Sequence, residues 1–173
     1  MALQLVIDGY NVIRADSGEA DYPLNDLEAS RNRLIERMKV YRRHKRVKVT
    51  IVFDGIHSGR LGDKQNHAGI GVTFSRSGED ADTVIKELCR ARGSSLTVVT
   101  TDHDLGSYAE ANGAVVIKSS EFLELLEMVE YQDIKGVEMD DEEDEEPTFG
   151  KKKGPAKRQP RQERKKRNRI KKL

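Results

Sequence analysis

Four short runs of apolar, mostly β-branched residues recur in the first 117 positions, at 3–7, 47–53, 96–100 and 114–117. Each is too short for a helix and too continuously apolar to keep one face in water. Strands of a parallel sheet covered on both sides read this way. Between the runs the period changes to that of a helix. From 25 to 44, Leu27, Leu34, Ile35, Met38 and Tyr41 keep to one stripe. From 80 to 92, Ala81, Val84, Ile85, Leu88 and Cys89 fall at i, i+3, i+4, i+7 and i+8, with Gly93 as the stop. Leu105, Tyr108 and Ala109 share a face closed by Gly113. Phe122, Leu125, Leu126 and Val129 repeat the pattern behind a cap at Ser119 or Ser120. A loop with Gly18 and Pro23 follows the first strand, and a polar, glycine-rich loop at 57–71 precedes a short strand at 72–74. The alternation predicts an α/β fold with a mainly parallel central sheet.

The apolar pattern stops beyond Gln132, and the charges there are sorted. Residues 138–146 hold 8 acids and no base, whereas residues 151–173 hold 13 Lys/Arg and one Glu. The formal charge of +1 on 173 residues therefore hides a bipolar tail. The expected division is a body at 1–132, an acidic linker at 133–150 and a basic tail at 151–173. Neither charged segment buries a core, so both are expected to be disordered in isolation, with 161–173 becoming helical on a partner. No window approaches the ~18–20 apolar residues of a membrane helix. No basic leader precedes the first strand, and Cys89 is the single cysteine, which leaves no internal disulfide and no cysteine zinc cage. A cytoplasmic location with no membrane partner is the expectation; oligomeric state is not legible.

Function is written at the strand ends. In an open α/β sheet, ligands bind at the carboxyl ends of the strands. The first strand ends in Asp8, the second in Asp54 and the third in Asp102, with Asp104 two residues on. Asp80 and Asp82 open the helix that starts at the same edge. Each acid has an ordinary structural use: Asp-Gly makes turns, Asp80 and Asp102 suit helix N-caps, and Asp82 suits the helix dipole. Together, several like charges at one edge repel, and a hard cation taking oxygen ligands best explains them. No phosphate loop, Asp-x-Asp nucleophile pair or Ser-His-Asp arrangement competes. Of the four histidines, His57 and His67 fall in the polar loop beside the expected site, and Cys89 reads as an inert core residue.

The segments LVIDGYNVIRA at 5–15, IVFDG at 51–55, GVTFSRSGEDADTVIKEL at 71–88 and VVTTDHDL at 98–105 resemble the YacP-like NYN domain ribonucleases of the PIN-like nuclease group. The likeness spans about 3–130, in order and spacing. It implies a PIN-like three-layer sandwich and Mg²⁺- or Mn²⁺-dependent endoribonuclease activity, linked in bacterial members to translating ribosomes. Carried over, Asp8, Asp54, Asp82 and Asp102 form the catalytic and metal site, with Asn11, Thr101, Asp80 and Asp104 as polar support. Three features depart from the pattern: Thr101 where Ser is common, the glycine-rich loop, and the bipolar tail. Arg14, Arg60, Lys64 and Arg76 are the expected RNA contacts around the crevice. The tail adds Lys151, Lys152, Lys153, Lys157 and Arg158, then Arg161, Arg164, Lys165, Lys166 and Arg167. It lacks aromatics, which favours backbone contact over base stacking. A non-catalytic RNA- or ribosome-binding module and a DNA-directed nuclease stay open at this stage.

Overall fold

Burial on both faces turns the apolar runs into the middle of a six-stranded sheet. A computed structural model describes residues 3–17, 26–136 and 161–173. The sheet runs β3-β4-β2-β1-β5-β6, built from β1 (Gln4–Asp8), β2 (Lys48–Phe53), β3 (Lys64–His67), β4 (Ile70–Phe74), β5 (Leu96–Val99) and β6 (Val115–Ile117). All pairings are parallel except β3–β4, which is an antiparallel hairpin. Helices α1 (Gly9–Ser17), α2 (Leu27–His44) and α5 (Ser119–Lys135) join the larger core with Leu5, Ile7, Ile51 and Phe53. On the other face, α3 (Ala81–Arg92) and α4 (His103–Ala111) pack on Val6, Val52, Leu96 and Val98. The result is the expected three-layer α/β sandwich.

Four differences from the sequence reading have physical causes. Helix α1 starts directly after Asp8, where a loop was expected; it buries only Gly9, Val12 and Ile13, too few positions to show a period. Its first residue must be glycine, because a Cβ there would sit 2.3 Å from the Phe53 ring. Strand β3, KQNH, lies inside the expected polar loop and has no apolar residue, since it is an edge strand held by β4 alone. Ser119 does not cap α5. Lys118 occupies that position and its backbone N–H donates to Glu121 Oε2 at 3.2 Å, while Ser119 is buried.

The fourth concerns the tail. Arg161–Ile170 forms α6, docked on the chain's own body and lying beside β6. Leu173 is buried in the main core, with the Tyr41 hydroxyl donating to its carbonyl oxygen at 2.5 Å. Lys166 pairs with Glu121 at 2.6 Å. An amphipathic end, Ile170 and Leu173, thus supplies the partner that the basic helix was expected to find elsewhere. The acidic run 138–146 and the bases Lys151, Lys152, Lys153, Lys157 and Arg158 lie outside the described residues. Among the described residues, no helix is long and apolar enough to cross a membrane.

Candidate catalytic centre

Chain order reverses across β1: β2 and β4 lie on one side of it, β5 and β6 on the other. The loops leaving the carboxyl ends of β1 and β5 therefore diverge and open a crevice. Asp8, the last residue of β1, is 8% exposed there. The Thr100 hydroxyl donates to its Oδ2 at 3.0 Å. Asp82 enters from the first turn of α3, and Asp102 from the N-cap of α4, where its Oδ1 accepts the Leu105 N–H at 2.8 Å. Burial above all pushes the Asp8 carboxyl up to about 6; the Thr100 hydrogen bond draws it down, and the charges of Asp82 and Asp102 push it up further. Asp82 is also raised, by burial first and then by Asp102 and Asp80. Three carboxylates from three separate elements thus feel one another's charge.

A polar frame holds this group. Thr100 bridges it, donating to Asp8 while accepting the Asp102 N–H at 3.1 Å. The carboxamide oxygen of Asn11 accepts from the Thr101 N–H at 2.9 Å, the Thr101 hydroxyl at 2.6 Å and the Ser119 hydroxyl at 2.7 Å. That one atom ties α1 to the loop after β5 and to the start of α5. Beside Asp8, the Tyr10 ring lies against Phe53 and His57, and its hydroxyl accepts from Arg31 at 2.9 Å. Arg31 is buried with its guanidinium over the Phe74 ring, which is why a charged residue can occupy a core position of α2.

The profile of the YacP-like NYN domain matches residues 5–171. This chain belongs to the YacP-like NYN family. The match runs past the 3–130 of the resemblance and takes in the bipolar tail. YacP of Bacillus subtilis (strain 168) is 31% identical over 129 residues, covering 73% of this chain and 76% of that one. The crystal structure of Rae1 (YacP) from Bacillus subtilis is similar with a TM-score of 0.61 and 28% identity, over 79% of this chain and 80% of that one. A single-residue variant of the same protein gives a TM-score of 0.60 at 28% identity, over 78% and 80% of the two chains. The NYN fold is nuclease-like, and this chain carries it.

Within the NYN frame the other expected residues fall at different places. Asp54 lies two positions beyond Val52, the partner of Asp8 in the sheet, and its Oδ1 accepts the Ile56 N–H of its own turn at 2.9 Å. Asp80 caps α3, accepting from the Thr83 N–H at 2.7 Å and its hydroxyl at 2.6 Å, and this holds its carboxyl below the usual value. Asp104 points to solvent, with a side chain 98% exposed. Arg14 is exposed on the last turn of α1. Arg60 already pairs with Glu28 at 3.4 Å and Asp63 at 3.8 Å. Lys64 and Arg76 line a groove beside α3. His67 ends β3 at the opposite edge of the sheet from Asp8, opposite Ile70. Cys89 is buried and its thiol is pushed up to about 11 by that burial. The roles of Thr100 and Arg31 have no local signal and Ser119 reads locally as a cap, because all three rest on tertiary neighbours; the doublet of threonines after β5 is the one visible sign.

Among the described residues, no group of three or more His, Cys, Asp or Glu side chains is arranged to hold a metal ion. The donor chemistry present is a set of mutually repelling carboxylates with hydroxyl and amide groups. That set fits a small hard cation such as Mg²⁺, which keeps several waters and takes one or two carboxylates from the protein. It does not fit a softer metal that wants imidazole or thiolate.

Proposed function

We propose that this chain is a divalent-metal-dependent endoribonuclease that hydrolyses RNA phosphodiester bonds, using Mg²⁺ or Mn²⁺ and acting on ribosome-associated RNA. The observation that supports it most is the coupling of Asp8, Asp82 and Asp102, brought from three elements to the switch point of the sheet. Membership of the NYN family, with its nuclease-like fold, points the same way. Asp8 and Asp102 would hold the cation, with Asp54 and Asp82 reached directly or through water. When bound, such an ion neutralises charge on the phosphoryl oxygens and lowers the pKa of a coordinated water.

The chain's own groups supply position. Thr100 donates to Asp8 and fixes its orientation. Asn11 holds Thr101 at the rim of the crevice, where its hydroxyl can meet a phosphate oxygen. Attack of water at phosphorus then leaves 5′-phosphate and 3′-hydroxyl ends. The test is cleavage of end-labelled single-stranded RNA and DNA with Mg²⁺, with Mn²⁺ and with chelator. The reading expects RNA cleavage that chelator abolishes. Cleavage unaffected by chelator overturns metal dependence, equal cutting of DNA overturns the RNA assignment, and salt-dependent binding without cleavage favours a binding module.

A further inference from the structure

The edge of the sheet where the strands begin lies opposite the acidic crevice, and the ends of α2, α3 and α6 gather there. Gln4, the first residue of β1, pairs with Lys48 on one side and Leu96 on the other. Arg92, the last residue of α3, donates to Gln4 Oε1 at 3.0 Å. Arg169 in α6 donates to the carbonyls of Ser94 at 2.9 Å and Ser95 at 3.4 Å. Arg42, in the last turn of α2, donates to the Ala68 carbonyl at 2.9 Å. Burial of Leu173 against Tyr41 brings Lys172 to this edge, and Arg46, between α2 and β2, and Lys48, the first residue of β2, lie exposed there.

Cations at helix C-termini are ordinary, since they offset the helix dipole. Two observations set this edge apart. Arg46, Lys48 and Lys172 stand outside any helix. Asp133 is spent on Arg43 and His44, and among the described residues no carboxylate pairs with Arg42, Arg46, Lys48, Arg92, Arg169 or Lys172. Arg42, Arg92 and Arg169 are held on neutral carbonyl and amide oxygens, so their orientation is fixed and their charge is not cancelled. The crevice has the opposite character: its carboxylates repel phosphate until a cation arrives. A groove of about 410 Å³ lies on the α3 side of the sheet. Gln4 lines one end, Thr50 and Thr73 its floor, and Lys64 and Arg76 the end nearer Asp8, with Glu79 and Glu87 on its wall.

We infer that this strand-start edge is a second RNA-binding surface, which grips the phosphate backbone while the distant crevice cuts. The inference rests on the ribonuclease reading above. Uncancelled cations on rigid elements bind a polyanion by releasing its counterions. The contact is sequence-independent, because phosphate contacts carry no base identity.

The test is a full-length Arg46→Ala/Lys48→Ala/Lys172→Ala variant, none of whose altered side chains holds a hydrogen bond or ion pair among the described residues. Binding of a fluorescent single-stranded RNA of about 30 nucleotides is followed by anisotropy in chelator across a salt series. With three phosphate contacts gone, affinity falls about 10- to 100-fold near 0.1 M salt, and the slope of log K against log salt flattens by about 2. Turnover of a saturating short oligonucleotide stays unchanged. Unaltered affinity and slope in a variant with wild-type thermal unfolding overturn the inference. So does tighter binding of a polyglutamate peptide than of RNA to the wild type, which would assign the surface to an acidic protein. If the variant loses binding as stated but neither protein cleaves any RNA, the surface stands and the nuclease reading falls.

Discussion

Replacing Asp8 by Asn should make the metal-free protein more stable. The Asp8 carboxyl sits at about 6 against an ordinary 3.8, with burial the main cause. That gap is worth about 3 kcal/mol between the two protonation states. The folded value exceeds the unfolded one, so the folded state binds the extra proton between pH ~4 and ~6. The contribution of Asp8 is therefore most favourable below pH ~4 and is lost as pH rises through ~6, leaving the full penalty at neutral pH. Asparagine carries no charge and can still accept the Thr100 hydrogen bond. Its amide gives back part of the gain, so about 1–3 kcal/mol remains, or a rise in melting temperature of about 3–9 °C for a domain of this size. The assay is thermal unfolding of both proteins in chelator from pH 4 to 8. The gap between them should be widest above pH 7 and close near pH 4. Adding Mg²⁺ should then raise the wild type alone, as binding to the native state requires. A variant that melts at or below the wild-type temperature at pH 7.5, or a gap that does not close in acid, refutes the reasoning.

Other substitutions separate function from structure. Asp102→Asn keeps a good N-cap for α4, so unfolding should shift by less than about 0.5 kcal/mol while RNA cleavage is lost. Asp80→Ala should do the reverse, costing about 1 kcal/mol in denaturant melts through the lost Thr83 contacts while cleavage persists. Gly9→Ala should cost about 1–3 kcal/mol in the same melts, because the added methyl meets the Phe53 ring at 2.3 Å. Leu173→Ala should cost about 2 kcal/mol or more if α6 is docked in solution as it is in the structure, and a change below 0.5 kcal/mol by urea unfolding would undo that docking.

What could be read from the sequence is what burial writes into it. β1, β2, β5 and β6 are covered on both faces or nearly so, and their apolar runs mark them almost to the residue. The stripe of α3 shows where that rule thins out: Ala81, Ile85 and Cys89 are buried, while Val84 and Leu88 are half-buried beside the open groove. The docking of α6 on its own body was hidden because its ten residues, RQERKKRNRI, carry one apolar side chain, and that docking relies on an arginine on carbonyls and a leucine three positions past its end. In the crevice, Asp8, Asp82 and Asp102 follow from strand ends and helix starts, which local pattern fixes. Asp54 had equal standing in the sequence, yet its hydrogen bond goes to its own turn, a choice made by backbone geometry after the strand. Thr100 and Ser119 act through residues roughly a hundred positions away, and no local pattern encodes such a partnership.

The Asn11 oxygen is oversubscribed. A carbonyl oxygen has two lone pairs, and three donors crowd this one. The Thr101 backbone N–H cannot turn away, so the hydroxyl protons of Thr101 and Ser119 compete for what is left. Ser119 is fully buried and its hydroxyl bonds to Asn11 alone among the described residues, whereas Thr101 is exposed. The competition therefore resolves outward: the Thr101 hydroxyl can give up its inner bond at little cost. The rim of the acidic crevice thus keeps a proton in reserve for whatever anion docks against it.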